Sequence, residues 1–288
     1  MGRLAYLTKS LARHFERERF VCPNCDSSGG PYVSRKYLIT ALRRCSQCKL
    51  LFRTPTDDPA ESTDYYESEY SQGFITELPS EDGLKYLIRT GFAGSGKSWA
   101  YYNSVLGRLN LGPGSRIFDF GCSWGYGSYQ MTSAGYQVTA FEIAPTRRKY
   151  AQRNLGVDMV EDLTAAGNDP NLAGKFDCFF SAHVLEHVPR PKSVFELADQ
   201  LLRPGGIFVS FTPNGSEQAR AARPQWDSLW GQVHPNYIDD RFLDYAFRAW
   251  PRVAGSSPVD ALEFPSDPIL SRVNELSGDE LFFAARKV

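Results

Sequence analysis

The chain lacks any apolar run approaching the ~18 residues a membrane-spanning helix needs, and it lacks a signal-peptide pattern, since Met1 to Phe20 is rich in arginine without an apolar stretch. An excess of one charge is also missing. Thirty-two Lys and Arg residues face 33 Asp and Glu residues, which argues against a generic polycation built to hold nucleic acid. Histidine is scarce, with four in 288 residues, so each one is a meaningful candidate for proton chemistry. The 42% hydrophobic and 14% aromatic content excludes a disordered chain, and the length suits one large or two modest domains. The expectation is a soluble, intracellular, cytoplasmic protein.

Near-neutrality conceals an uneven distribution. Residues 1–53 hold eleven Lys and Arg against three acids, whereas nine acids between Asp57 and Asp82 are opposed only by Lys85. Two readings remain: solvated faces with an acidic connecting segment, or a basic module that recruits an anionic partner. Four of the six cysteines form two C-x-x-C pairs, Cys22 with Cys25 and Cys45 with Cys48, separated by nineteen residues. Each tight knuckle presents two thiolates on one side, and two knuckles can close a tetrahedral site suited to Zn²⁺. A four-thiolate shell leaves no open position, so the metal would hold a small module and catalyse nothing. Cys122 and Cys178 stand in apolar surroundings and are expected to pack.

From about Arg89 onward the chain changes character, and Asn110 to Val288 reads as short apolar strands alternating with amphipathic helices, the pattern of a largely parallel sheet covered on both faces. Candidate strands are Arg116 to Phe120, Gln137 to Glu142, Asp158 to Glu161, Phe176 to Ser181, Gly206 to Phe211 and Glu280 to Arg286. Leu202-Arg-Pro-Gly-Gly206 should break the helix before the fifth strand. A helix over Lys97 to Leu109, begun by Ser95 or Gly96, would turn Trp99, Tyr102, Leu106 and Leu109 toward the sheet.

The chemistry concentrates where the first of these strands ends, at Asp119-Phe-Gly121-Cys-Ser123-Trp-Gly125. Glycines at a strand-to-helix turn let backbone approach a ligand that a Cβ would block. The dinucleotide fingerprint G-x-G-x-x-G fails at Ser123 and Tyr126. A G-x-S-x-G nucleophile elbow matches locally, but no upstream oxyanion segment accompanies it and the only late histidine is His234. Just upstream, Gly91 to Ser98 satisfies G-x-x-x-x-G-K-[ST]; Leu84 to Thr90, with Lys85 and Arg89, makes a poor buried strand to precede a phosphate loop.

The same turn resembles the D-x-G-x-G-x-G loop of class I S-adenosylmethionine-dependent methyltransferases, with Ser123 at the middle glycine. Further features follow in the family's order. Glu142 closes the second strand, twenty-one residues after Gly121, where the resemblance implies a carboxylate accepting both ribose hydroxyls. Asp162, or its neighbour Glu161, corresponds to the acid that contacts the adenine amino group. Phe176 to Pro189, with Ser181 and His183, resembles the fourth-strand segment, and Glu280 to Val288 resembles the final antiparallel strand. The resemblance implies an α/β, Rossmann-like seven-stranded, mostly parallel sheet with helices on both faces, plus a small N-terminal zinc ribbon. It divides the chain into a ribbon module with an N-terminal helix (1–55), an acidic linker or lid (56–95) and a methyltransferase domain (96–288).

The implied cofactor is S-adenosyl-L-methionine, held by Asp119, Gly121, Ser123, Gly125, Glu142, Asp162, Ser181 and His183, with Lys97 a candidate for its methionine carboxylate. Transfer to oxygen needs an aligned acceptor and a proton acceptor. His234, in the segment after the fifth strand where the family covers its substrate, is the choice for base, with Asn236 and Tyr237 as acceptor contacts. A structural hydrogen bond is the alternative for His234, and His187 is expected to pack at the sheet edge. An N-terminal four-cysteine module before such a domain is similar to bacterial sugar-modifying enzymes, which implies a small-molecule or glycan acceptor. Two alternatives stay open: a ribosomal RNA methyltransferase, and a non-catalytic zinc-ribbon interaction protein that binds cofactor.

Overall fold

A computed structural model describes residues 3–58, 77–267 and 270–288; most of the acidic segment, residues 59–76, lies outside them. Helix α1 (Arg3–Ala12) leads to the short strands β1 (Tyr32–Lys36), β2 (Thr40–Arg44) and β3 (Leu51–Thr54). Helices α2 (Glu81–Arg89) and α3 (Ala100–Arg108) precede an alternating series. This runs β4 (Arg116–Phe120), α4 (Tyr126–Ser133), β5 (Gln137–Phe141), α5 (Pro145–Leu155), β6 (Asp158–Val160), α6 (Leu163–Asn168), β7 (Phe176–Ala182), α7 (Pro191–Leu201) and β8 (Leu202–Pro213). The chain closes with α8 (Glu217–Ala222), β9 (Asn236–Tyr237), α9 (Asp240–Ala246), β10 (Arg252–Ser256), β11 (Ser271–Val273) and β12 (Glu280–Arg286). Among the described residues, no helix is long and apolar enough to cross a membrane.

Eight strands form the main sheet in the order β11, β10, β12, β8, β7, β4, β5, β6. The expected count was seven. The additional strand, β11, is an exposed edge that pairs parallel to β10. Strand β4 is parallel to both β5 and β7, and β12 runs antiparallel to β10. Right-handed crossovers favour helices between parallel neighbours, which explains the alternation read from the sequence. Strand β10 escaped that reading because it opens on a charge: Arg252 is buried and its Nε donates to Asp244 at 2.7 Å.

Two compact units make up the chain, Met1–Ser62 with Ser181–Glu196 and Val209–Val288 in one, Thr63–Phe180 with Leu197–Phe208 in the other. In the second unit, β4 buries Ile117 and Phe118, and aromatic rings pack along the sheet. Phe179 stacks on Phe118 at 5.4 Å, on Phe120 at 5.6 Å and on Phe208 at 5.7 Å. Each fully buried phenyl of this kind contributes about 1.5–3 kcal/mol relative to exposure. Helix α3 starts at Ala100, three residues later than the sequence suggests, because Trp99 takes a non-helical conformation as its N-cap and its amide donates to Gln130 Oε1 at 2.8 Å. The segment before Gly91 is helix α2, capped by Ser80, so the phosphate-loop pattern has no strand in front of it. The helix does end just before Leu202-Arg-Pro-Gly-Gly206, with α7 closing at Leu201, and the chain passes directly into β8, which starts at Leu202 rather than Gly206.

In the first unit, β1, β2 and β3 form an antiparallel sheet whose fourth strand is β9, paired Leu51 to Tyr237 and Phe52 to Asn236. Both cysteine knuckles are built alike. Asp26 and Lys49 follow their C-x-x-C pairs with φ of 57° and 69°, and their amides donate to the Cys22 and Cys45 carbonyls at 2.9 and 3.2 Å. Leu42, Leu51, Trp230 and Tyr237 share a core. His14, placed by the sequence in the N-terminal helix, sits in the 3-10 turn after α1, with Nε2 2.6 Å from the Ile39 carbonyl. Cys122 and Cys178 are buried.

Candidate active site

The turn after β4 is built on three left-handed residues at alternate positions: Gly121 (φ 87°), Ser123 (φ 55°) and Gly125 (φ 85°). Only glycine takes this conformation without penalty, and an L-residue there costs roughly 1–2 kcal/mol. At Gly125 a Cβ would also stand 2.7 Å from Ala151 Cβ. Ser123 is therefore a deliberate exception, and its Oγ is buried without a hydrogen-bond partner.

The turn closes on Glu142. One carboxylate oxygen accepts from the Ser123 amide and the other from the Ala144 amide, both at 2.9 Å, with Arg147 at 3.9 Å. Burial pushes this carboxyl above its ordinary range, while the two amides and Arg147 pull the other way. Asp119, 3% exposed, accepts from Ser128 Oγ at 2.6 Å, and burial raises it to about 7. It anchors the first turn of α4 to the end of β4. Asp162 caps α6, its Oδ1 accepting from Thr164 at 2.8 Å and Ala165 at 3.3 Å. Lys97 is tied through its backbone, donating to Ser95 Oγ at 3.2 Å and accepting from Gln130 Nε2 at 2.9 Å.

A second constellation lies in the other unit. Ser181, near the carboxyl end of β7, is buried with its Oγ unpartnered. His183 Nε2 bonds Glu280 at 2.7 Å and its Nδ1 lies 3.7 Å from Glu186. Burial disfavours the charged ring, but the neighbouring carboxylates of Glu186 and Glu280 outweigh it and raise His183 to about 10. Glu186, 2% exposed, is likewise disfavoured by burial, yet the adjacent His183 holds it down at about 2; Thr212 Oγ1 also donates to it at 3.0 Å.

His187 and His234 pack edge to face, ring centroids 4.7 Å apart. Their Nδ1 atoms lie 2.9 Å from the carbonyls of Val233 and Leu229 respectively. A carbonyl can only accept, so in the neutral rings Nδ1 carries the proton and Nε2 keeps its lone pair. Burial lowers His187 to about 4. The ligand atoms of Glu186, His187 and His234 lie within 4.8 Å of one another, a carboxylate and two imidazoles that can hold a divalent cation.

The four knuckle sulfurs also lie within 4.8 Å of one another. The Cys22–Cys48 and Cys25–Cys45 separations are both 3.5 Å, and no disulfide joins them.

Residues 118–210 match the methyltransferase domain family. The chain is 36% identical over 193 residues to a ubiquinone biosynthesis O-methyltransferase of Xanthomonas campestris pv. campestris (strain B100), an alignment spanning 63% of this chain and 78% of that protein. The chain belongs to the class I S-adenosylmethionine-dependent methyltransferases. A second relative with the same name, from Xanthomonas axonopodis pv. citri (strain 306), is 30% identical over 61% of this chain and 76% of its own length. Among solved structures, a TehB-like SAM-dependent methyltransferase from Corynebacterium glutamicum ATCC 13032 is 17% identical with a TM-score of 0.48, over 80% of this chain and 100% of that one.

Within the methyltransferase, Asp119, Gly121, Ser123, Gly125 and Glu142 are brought together around one turn. Asp162 stands apart at the start of α6, and Ser181 and His183 belong to the other unit. Asn236 Nδ2 donates to the Val188 carbonyl at 2.6 Å and Tyr237 Oη to the Asn214 carbonyl at 2.7 Å, so both donors are committed to the scaffold, while Asn236 Oδ1 is buried without a partner among the described residues. Sequence reading missed Ser128 and Glu186. A serine in the first turn of a helix gives no signal of its partner, whereas the adjacent Glu186-His187 pair was a visible cue.

The linked shifts set a pH window. A His183 raised from 6.5 to about 10 contributes stability that is complete below pH 6.5 and lost as pH rises through 10. A Glu186 lowered from 4.5 to about 2 contributes stability that is complete above pH 4.5 and lost as pH falls through 2. Thermal melts of His183→Gln beside the wild type should therefore show the largest Tm gap between pH 4.5 and 6.5, closing toward both extremes. A gap independent of pH would mean that the ion pair is not its source.

Proposed function

We propose that this methyltransferase acts on a hydroxyl oxygen of a small molecule, a phenolic hydroxyl by analogy with the ubiquinone biosynthesis O-methyltransferases it is similar to. The carrying observation is the turn Gly121–Gly125 closed on Glu142. A carboxylate offers about four acceptor directions, and the two amides occupy two of them, leaving capacity for a vicinal diol. The Ser123 Oγ, buried without a partner among the described residues, adds a polar group at the same turn. These residues fit S-adenosylmethionine, which supplies an electrophilic methyl group when bound. Glu142 would accept the ribose hydroxyls, Asp119 would keep the turn in shape through Ser128, and Asp162 would face the adenine end. Ser181 and His183 stand at the carboxyl end of β7, the end of an open α/β sheet where ligands gather.

His234 is the proposed base. Its Nδ1 proton is committed to the Leu229 carbonyl, so Nε2 can take the acceptor's hydroxyl proton. The glycan acceptor expected from the cysteine module finds no support among the relatives, whose names concern ubiquinone biosynthesis.

The four cysteines fit zinc. Tetrahedral Zn–S bonds of about 2.3 Å imply sulfur separations of about 3.8 Å, close to the observed 3.5 Å and far beyond the ~2.05 Å of a disulfide. Three of the four are fully buried, a costly arrangement for thiolates without a cation. In this reading the metal holds the ribbon sheet, and through β9 the ribbon holds the segment carrying His234: the Arg53 amide donates to the Pro235 carbonyl at 2.8 Å, and Lys36 Nζ donates to that of Trp230. Part of the excess positive charge of residues 1–53 is neutralised internally, with Arg13 and Arg53 on Asp57, Arg19 on Glu16 and Asp58, and Arg44 on Asp239. That weighs against an RNA acceptor.

Three measurements test this. Calorimetric titration with S-adenosylhomocysteine should show Glu142→Ala binding roughly ten- to a hundredfold more weakly, the scale of charged hydrogen bonds lost at about 1.5–3 kcal/mol; unchanged affinity removes Glu142 from the site. With a catechol acceptor, His234→Gln should lower kcat by roughly a hundredfold or more while leaving S-adenosylhomocysteine affinity intact, and an unchanged kcat dismisses it as base. Metal analysis of protein purified under reducing conditions should find a single zinc ion, lost in Cys48→Ser together with acceptor turnover; protein without zinc overturns the ribbon.

A further inference from the structure

The segment between β8 and α9 carries an arginine that the proposed chemistry does not use. Asn214, Gly215 and Ser216 are buried, and a Cβ on Gly215 would lie 2.5 Å from the Ile238 carbonyl oxygen, so this turn has one tight path. Ser216 caps α8 by accepting from Ala219 at 3.2 Å. One turn along, Arg220 donates from Nε to the Gly215 carbonyl at 3.0 Å, and its guanidinium lies 5.2 Å from the Trp226 ring centroid. Trp226 in turn stacks on Tyr237, planes 4° apart and centroids 6.2 Å apart. The guanidinium is thus oriented by a carbonyl at one corner and a ring on one side, while its two terminal nitrogens have no acceptor among the described residues.

Neighbouring arginines differ. Arg44 pairs with Asp239 at 2.7 Å, Arg241 with Glu217 at 2.9 Å, Arg252 with Asp244 at 2.7 Å, and Arg223 with Asp279. Among the described residues Arg220 makes no ion pair, although it is half-buried. The acids whose charge reaches it, Asp239 and Glu217, are the ones already engaged by Arg44 and Arg241. Burial and then the charge of Arg44 push its guanidinium below the ordinary value, against the pull of Asp239 and Glu217. A planar, pre-oriented fork with free terminal donors is the donor set for a bidentate oxyanion. Its place just beyond the carboxyl end of β8 is the side on which open α/β sheets take ligands.

We infer that Arg220, oriented by Gly215 and Trp226, binds an anionic group, a carboxylate or a phosphate, on the methyl acceptor. The assignment to the acceptor rests on the proposed function; the anion site itself does not. Its test is titration of the protein, loaded with zinc and S-adenosylhomocysteine, with benzoate and separately with inorganic phosphate, read by calorimetry and by quenching of tryptophan fluorescence. Saturable binding of either anion to the wild type, weakened about tenfold or more in Arg220→Met as expected for loss of a charge-assisted pair, supports the site. Selectivity between benzoate and phosphate tells which acceptor chemistry it serves. Arg220→Lys, which keeps the charge and loses the fork, should retain phosphate better than benzoate, and it keeps the question answerable if Arg220→Met does not fold. Absence of saturable binding of both anions, or equal binding by Arg220→Met, overturns the proposal. If the anion binds through Arg220 while no acceptor is methylated, the acceptor assignment fails and the anion site stands.

Discussion

A single buried carboxylate organises the proposed cofactor site. Glu142 reaches from the end of β5 to the amides of Ser123 and Ala144, and so fastens the turn after β4 to the start of α5. Without it, the Ser123 amide would point from a left-handed residue into a buried space with no acceptor, and an orphaned buried donor costs about 1–3 kcal/mol. The parallel register of β4 with β5, Asp119 opposite Ala140 and Phe120 opposite Phe141, brings the two strand ends level so that this bridge can form. Gly121 and Cys122 both donate to the Phe141 carbonyl as well, which leaves the turn one backbone path.

The other unit follows a different logic. Two cysteine knuckles shape a small sheet, but that sheet is complete only when residues distant in sequence supply β9 and the Trp230 and Tyr237 side chains of its core. The ribbon is thereby a clamp on the segment that carries His234. The buried Arg44–Asp239 pair and the Lys36 contact with Trp230 lie on the same seam. In the proposed reading, metal binding and acceptor handling would be coupled through the pairing of β3 with β9.

How much of this was legible follows from the range of the interaction concerned. Strands β4, β7 and β12 announce themselves through short, largely apolar runs that the sheet buries, whereas β5 and β6 are partly exposed and show weaker alternation. The D-x-G-x-S-x-G spacing marks the very positions that turn out left-handed, because the requirement is local to each residue. Strand β10 was hidden by Arg252, whose charge is satisfied by Asp244, and the helix expected at Lys97 began late because Trp99 is held by Gln130. Asn236 and Tyr237 looked like acceptor contacts because polar and aromatic residues in a loop usually face ligand. Their donors reach the Val188 and Asn214 carbonyls, pairings across 48 and 23 residues that the sequence does not announce.

The sequence by itself determined the alternating α/β plan, the cysteine spacing and the identity of the glycine turn, since periodicity, knuckle geometry and left-handed backbone are properties of neighbouring residues. Only the tertiary structure decided which partner each polar group finds. Glu142 meets Ser123 across nineteen residues, His183 meets Glu280 across ninety-seven, and Lys36 meets Trp230 across one hundred and ninety-four. Pairings of that range depend on strand order and register, and the charge left over once they are made, as at Arg220, is visible only when every nearer partner has been assigned.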